Sequence, residues 1–402
     1  MNLNYDKSVT FPGGFLANAI SAGIKGNGSL DVGLLVSDKV ATTAAVFTKN
    51  KFAAMPVVLC AQNLRKSKNK TKAIIVNSGC ANALTGRTGL KSAESIITAI
   101  TKHLRIPREE VLIASTGVIG KQLPVESIVD KIPSLVGGLG IEGDPSFSQS
   151  ILTTDKFPKR VAVEVSLSKT KKFRIGATAK GAGMIHPNMA TMLCFATTDA
   201  RVERNKLQQA LTKAVAKSYN TITVDGDTST NDSVFLLANG TSGVEINSPS
   251  EVKEFQEALT GVLVELAMMI VRDGEGATRF VKLNIESAAT YEEAVRVGRA
   301  VGTSPLVKTA IFGGDPNWGR VLSAVGNTDV RFDPAKVELN IGGICVFQRN
   351  EPQKIDPVRI CDLFSKKEIE MTIKLNSGRN SAQVYTCDLS YDYVKINGEY
   401  TT

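Results

Sequence analysis

The sequence predicts an α+β protein, or a layered α/β one, built from mixed strands with helices grouped between them. Three observations predict it. Short β-rich apolar runs recur along the chain, each closed by a Ser/Thr/Gly turn. Capped helical segments cluster in the second half. The tail from Lys336 onward reads as strand broken by Gly342-Gly343 and Asn376-Ser377-Gly378.

The elements follow in order. Lys72–Val76 and Val111–Ala114 are apolar runs of strand length. Residues 160–167 and 172–177 alternate apolar and polar like two arms of a hairpin. The segments 190–197 and 233–238 are continuous apolar strands. Arg204–Ser218 carries apolar residues at helical spacing. Ser248-Pro249-Ser250-Glu251 is a capping box with proline at the first helical position, opening a helix to about Val271. Thr290-Tyr291-Glu292-Glu293 is a second such signature, opening a helix to about Ala300. The chain shows neither an internal repeat nor a low-complexity linker.

Composition narrows the function. The chain has 402 residues, more than one ordinary domain and fewer than four. Hydrophobic residues make up 43% and charged residues 22%, which is the balance of a globular protein with a substantial core. Net charge is +9, from 48 basic and 39 acidic residues. The tightest basic cluster, Arg65, Lys66, Lys68, Lys70 and Lys72, reads as a solvated loop. No aromatic residue interleaves with it, so the stacking platform of a single-strand nucleic-acid binder is missing. Six scattered cysteines form no CxxC pair, which argues against a zinc site. The N-terminal MNLNYDKSVTF lacks the basic and apolar regions of a signal peptide, so a reducing cytoplasm with free thiols is expected. The longest apolar stretch, Ala258 to Val271, is interrupted by Glu265 and is too short to span a bilayer.

Histidine is the chemical filter. The chain holds two, His103 and His186. His103 ends a helical segment, where it faces the helix dipole. No GxSxG elbow accompanies His186, and no GxGxxG or P-loop is present. The densest unusual segment is Lys180–Thr191, a glycine-rich turn, then Pro187, then Ala190 ahead of Thr191 and an apolar strand. This arrangement suits a chain that cuts itself. Thr191 Oγ would attack the Ala190 carbonyl, and water would hydrolyse the resulting ester. The products are a carboxylate on Ala190 and a free α-amine on Thr191. That amine, with a pKa of about 7.7–8.0, can act as general base for its own hydroxyl. A threonine at a strand entrance can equally be a structural residue.

The segment KGAGMIHPNMATML (180–193) closely resembles the cleavage motif of the ornithine acetyltransferase family, the bifunctional glutamate N-acetyltransferases/amino-acid acetyltransferases. Further segments match in the same order: AAVFTKNKF (44–52), VNSGCANALTG (76–86), STGVIG (115–120), TTDKFPK (153–159), TVDGDTSTND (223–232), RDGEGATRF (272–280), GGDPNWGR (313–320) and YVKINGEYTT (393–402). The likeness spans nearly the whole chain.

The resemblance implies an acetyl transfer from N-acetylornithine to glutamate in arginine biosynthesis, through an acetyl-threonine intermediate. Acetyl-CoA is a co-substrate for some members, and no metal or resident cofactor is implied. It implies cleavage into an α fragment, residues 1–190, and a β fragment, residues 191–402, intertwined and assembled as α2β2. It implies a layered αββα fold that resembles, with a different topology, the N-terminal nucleophile hydrolases. By motif match Thr191 is the nucleophile, and Thr116 and Gly117 stabilise the oxyanion. Thr153 with Thr154 beside it, Lys180, Thr191, Glu275, Asn397 and Thr402 bind substrate. The charge of Lys180 suits a substrate carboxylate, and that of Glu275 a substrate amine. Trp318 is read as a packing residue.

The chain departs from the family pattern at Cys80 and Leu84, where packing is expected to change, and at Lys156, which is expected to tune substrate contacts. Two rival readings are a self-processing aminopeptidase of related architecture and a non-enzymatic basic binding protein.

Overall fold

A computed structural model describes residues 2–186 and 192–399. The expectations for Ala190, Thr191 and Thr402 lie outside the described residues.

The chain runs β1 (Phe15–Ile20), β2 (Val32–Phe47), α1 (Met55–Lys66), β3 (Lys70–Cys80), α2 (Gly86–Leu104), β4 (Val111–Val118), α3 (Val125–Gly137) and α4 (Asp144–Ser150). It continues through β5 (Lys159–Ser166), β6 (Lys172–Lys180), β7 (Leu193–Thr198), α5 (Arg204–Lys217), β8 (Ser233–Ala238) and α6 (Pro249–Arg272). The rest comprises β9 (Phe280–Ala288), α7 (Tyr291–Thr303), α8 (Pro305–Gly313), α9 (Trp318–Gly326), β10 (Glu338–Ile341), β11 (Ile344–Gln348), β12 (Glu351–Pro352), α10 (Pro357–Phe364), β13 (Glu368–Lys374), β14 (Asn380–Cys387) and α11 (Tyr391–Glu399).

The expected layered α+β architecture is the one adopted. Eight strands form a mixed sheet in the order β4-β3-β2-β8-β7-β6-β5, with β1 also paired to β2. β3 with β4 and β7 with β8 run parallel, and the other pairs are antiparallel. β7 and β8, which follow residue 191, lie between β2 and β6, which precede it.

The continuous apolar character of β7 and β8 has a direct cause: every residue in both is buried. One face, with Cys194, Ala196, Val234 and Leu236, packs in a cluster with residues of α5 and α6. The other, with Leu193, Phe195, Phe235 and Leu237, joins residues of α1 to α4. Phe195 and Phe235 stack at 5.7 Å, and burying each contributes roughly 1.5–3 kcal/mol.

α6 buries Phe255, Ala258, Leu259, Val262, Leu263, Leu266, Ala267, Ile270 and Val271, the alternating three-and-one spacing of a helix face. Its capping box forms as read, with Ser248 and Glu251 bonded reciprocally to each other's backbone. At Thr290 the threonine side chain caps Glu293 N–H at 3.1 Å, and α7 runs to Thr303.

A second sheet of six strands, β12-β11-β10-β13-β9-β14, has its own core with α7, α8, α9 and α10. Gly298 lets α7 approach it closely, since a Cβ there would sit 2.5 Å from Val384 Cγ2. Trp318 packs there against Phe347, as expected of a structural aromatic.

Two readings need correction. The tail is not mostly strand, because α10 and α11 interrupt it. The basic cluster is not one loop: Arg65 and Lys66 end α1, Lys68 sits in the turn, and Lys70 and Lys72 lie on β3. Lys156 is exposed and engages Asp273 through its backbone N–H. The four cysteines Cys60, Cys80, Cys194 and Cys387 are buried and all six are free. Among the described residues, no helix is long and apolar enough to cross a membrane.

Candidate active site

β6 finishes where β7 and β8 begin, with Lys180 opposite Leu193 and Leu193 opposite Ser233, and Asn231 joins the end of β4 to them. A cavity of about 260 Å³ opens there. Of the residues expected to act, Thr116, Gly117, Thr153, Thr154, Lys180, Glu275 and Asn397 all line it. They come from segments separated by up to 281 residues (397 − 116). Met192, the residue after the expected nucleophile, also lines it.

Gly117 shows why this position is glycine. Its φ is +125°, and a Cβ would lie 2.4 Å from the Gly79 carbonyl carbon across the parallel β3–β4 pair. Glycine therefore lets the end of β4 lie close against β3 while its backbone lines the cavity. Asn231 ties this end in place, donating to Ala81 O at 2.6 Å and Ser115 O at 2.8 Å.

Lys180 closes β6 and is buried. Its Nζ donates to Thr153 Oγ1 at 2.7 Å and Thr116 Oγ1 at 3.2 Å, and lies 3.9 Å from Asp155 Oδ2. Because Thr116 Oγ1 accepts from Lys180, its own hydrogen is left to point elsewhere. Burial pulls the Lys180 ammonium below the usual lysine range, against the opposing field of Asp155. Lys159 adds to the depression, while Glu275 and Asp232 counter it.

Glu275 is buried and also lines the cavity, accepting from Asn397 Nδ2 at 2.8 Å. Its N–H donates to Ala182 O at 2.9 Å. Gly183 makes this approach feasible, because a Cβ there would meet the Glu275 carboxyl carbon at 2.3 Å. The cavity thus has a cationic wall at Lys180 and an anionic one at Glu275.

Sequence reasoning missed three other groups. Asp225 accepts the Met184 N–H at 2.6 Å and the Ile185 N–H at 2.9 Å, which fixes the turn ahead of the expected cleavage segment. Tyr393, on α11, hydrogen-bonds Asp225 and lines the cavity. Asp155, Lys159 and Asp273 form a fully buried ionic cluster, Lys159 Nζ reaching Asp155 at 2.7 Å and Asp273 at 2.6 Å. Asp155 and Asp225 stand inside matched motifs, which was the available signal.

Neither histidine lines the cavity. His103 binds Ala99 O near the exposed end of α2. His186 bonds Thr223 Oγ1 at 3.0 Å, and burial with the Arg299 charge pulls its pKa down to about 4. Among the described residues, no group of three or more His, Cys, Asp or Glu side chains is placed to hold a metal.

The family described as the ArgJ family matches residues 16–402 of this chain. The chain belongs to the ArgJ family. It is 44% identical to the arginine biosynthesis bifunctional protein ArgJ of Dehalococcoides mccartyi, over 99% of this chain and 98% of that protein. It is 43% identical to the glutamate N-acetyltransferase of Methanocaldococcus jannaschii, over 99% of both. Among solved structures, the ArgJ of Bacillus halodurans is 36% identical, covering 51% of this chain and 97% of that one at a TM-score of 0.49. The ornithine acetyltransferase of Mycobacterium tuberculosis, complexed with ornithine, is 34% identical, covering 47% of this chain and 99% of that one at a TM-score of 0.44. Full-length membership of the ArgJ family explains why nine sequence segments matched in order.

Proposed function

We infer that this chain is an arginine-biosynthesis acetyltransferase that moves acetyl from N-acetylornithine to glutamate, and that Thr191 carries the acetyl group. The observation that supports this best is the convergence, in one cavity beside Met192, of seven residues from five separate matched motifs. Family membership favours it over the aminopeptidase and basic-binding readings.

In this reading Thr191 Oγ attacks the acetyl carbonyl of N-acetylornithine while its α-amine takes the hydroxyl proton. Donors from Thr116 and Gly117 receive the oxyanion, where losing one donor costs roughly 10²–10³ in rate. The C–N bond breaks, ornithine leaves with the proton, and the glutamate amine then takes the acetyl group from the ester. Lys180 suits a substrate carboxylate and Glu275 a substrate amine. The paired walls suit amino acids carrying both charges. The two fragments remain associated, as α2β2, and acetyl-CoA serves as a second acetyl donor to the same threonine.

The test combines a denaturing gel with an exchange assay. Wild type should give two bands, of 190 and 212 residues (402 − 190), and release ornithine from N-acetylornithine plus glutamate. Thr191→Ala should give one full-length band and no ornithine. Peptide hydrolysis without acetyl exchange would move the assignment to the aminopeptidase. An acetyl-CoA-dependent assay on glutamate checks the second donor.

A further inference from the structure

Asp155 has no assigned role, yet three residues of the cavity wall, Thr153, Lys180 and Gly181, depend on it. Its side chain is fully buried. Oδ1 accepts from Lys159 Nζ at 2.7 Å and from Gly181 N–H at 2.7 Å. Oδ2 accepts from Thr153 N–H at 3.1 Å and lies 3.9 Å from Lys180 Nζ. One carboxylate thereby fixes the backbone at Thr153, the backbone just after Lys180, and the field at the Lys180 ammonium.

A purely structural account leaves something over. Lys159 already has a closer carboxylate in Asp273, at 2.6 Å. Asp273 follows α6 directly and accepts the Lys156 N–H at 3.0 Å, so it anchors the segment leading to Glu275. A lysine neutralised by Asp273 does not need Asp155. Gly181, Thr153 and Lys180 do need it, and all three line the cavity.

We propose that Asp155 is a positioning residue for acetyl transfer, holding Thr153 and the charged form of Lys180 against the cavity. The proposal rests on the acetyltransferase reading above. Every charged group facing Lys180 enters the account. Lys159 and Lys25 repel its charge, whereas Asp155, Glu275 and Asp232 sustain it. The two attached fields at Asp155, from Lys159 and Lys180, overcome burial and hold its carboxyl well below the usual range. Asp155 is therefore ionised wherever the enzyme works. With it gone, Lys180 keeps both repulsive neighbours and loses its nearest carboxylate.

The consequence is a change in pH profile. The rate should rise with pH as the Thr191 amine loses its proton, then fall as Lys180 loses its own. Asp155→Asn removes the charge and keeps one oxygen acceptor, for Gly181 or for Thr153, while its amide nitrogen takes the place of the other oxygen. Lys180 then deprotonates at lower pH, so the alkaline limb of kcat/KM should move down by about 1–3 units. Ornithine release is measured across pH on processed protein, with folding checked by melting. A limb at the wild-type pH, whatever the absolute rate, overturns the proposal. Should Asp155→Asn not fold, Asp155→Glu supplies the test. It keeps the buried charge but displaces it by one methylene, so an unmoved limb counts against the proposal and a displaced one supports it. Wild-type protein that releases no ornithine would instead sink the parent reading.

Discussion

The two sheets of this protein are built alike and used differently. Both have apolar interiors covered by helices. The small sheet keeps its ion pairs outside: Lys282–Glu370, Lys374–Glu338 and Arg296–Asp329 are all substantially exposed. The large sheet brings Lys159, Asp155, Asp273 and Lys180 inside, at the end where its central strands start. Exposed pairs contribute about 0–1 kcal/mol, whereas breaking a buried pair costs about 3–5 kcal/mol. A fold tolerates that exposure to damage at one end only where the charges orient something, and here they border the cavity.

The largest expected effect breaks this contrast directly. Lys159→Met strands two buried carboxylates and should destabilise by about 3–5 kcal/mol in chemical denaturation. Asp329→Ala in the small-sheet layer should cost less than about 1 kcal/mol. Comparable losses for both would erase the distinction between the regions.

Glycine gives the next contrast. Gly117→Ala meets backbone at 2.4 Å and a φ of +125°, so acetyl transfer should fall roughly 10²–10³-fold. Gly343→Ala, at the β10–β11 turn, has a φ of +83° but open space around it. It should cost about 1–2 kcal/mol of stability and leave turnover unchanged. Steady-state kinetics beside melting curves would separate the two.

The smallest effect concerns pH. His186 has a folded pKa near 4 against an unfolded value near 6.5, so folding favours its neutral form. The unfolded chain takes up a proton first as pH falls, and stability drops between about 6.5 and 4. After allowance for its partial exposure the loss is on the order of 2 kcal/mol. His186→Asn should flatten that part of the stability curve. An unchanged slope would show that other groups set it.

The strands of the large sheet were legible because burial on both faces writes an unbroken apolar run, as in 233–238. α6 was legible from its capping box and periodic face. α11 was not, since it buries none of its side chains and leaves no apolar period to read. α3 carries Pro133 inside it, which locally argues against a helix. Of the site, the matched motifs supplied its members but not their arrangement. Lys159 and Asp273 are 114 residues apart, and no local pattern announces that they meet.

The position of β7 and β8 between strands from the other half of the chain bears on the order of events in the cell. A polypeptide opened between residues 190 and 191 before reaching this sheet would yield two pieces with bare inner edges, β2 and β6 on one and β7 and β8 on the other. Such edges seek any partner, including another copy. If the chain is cut there, folding should therefore come first and scission afterwards, with the finished ladder helping to hold the two pieces together.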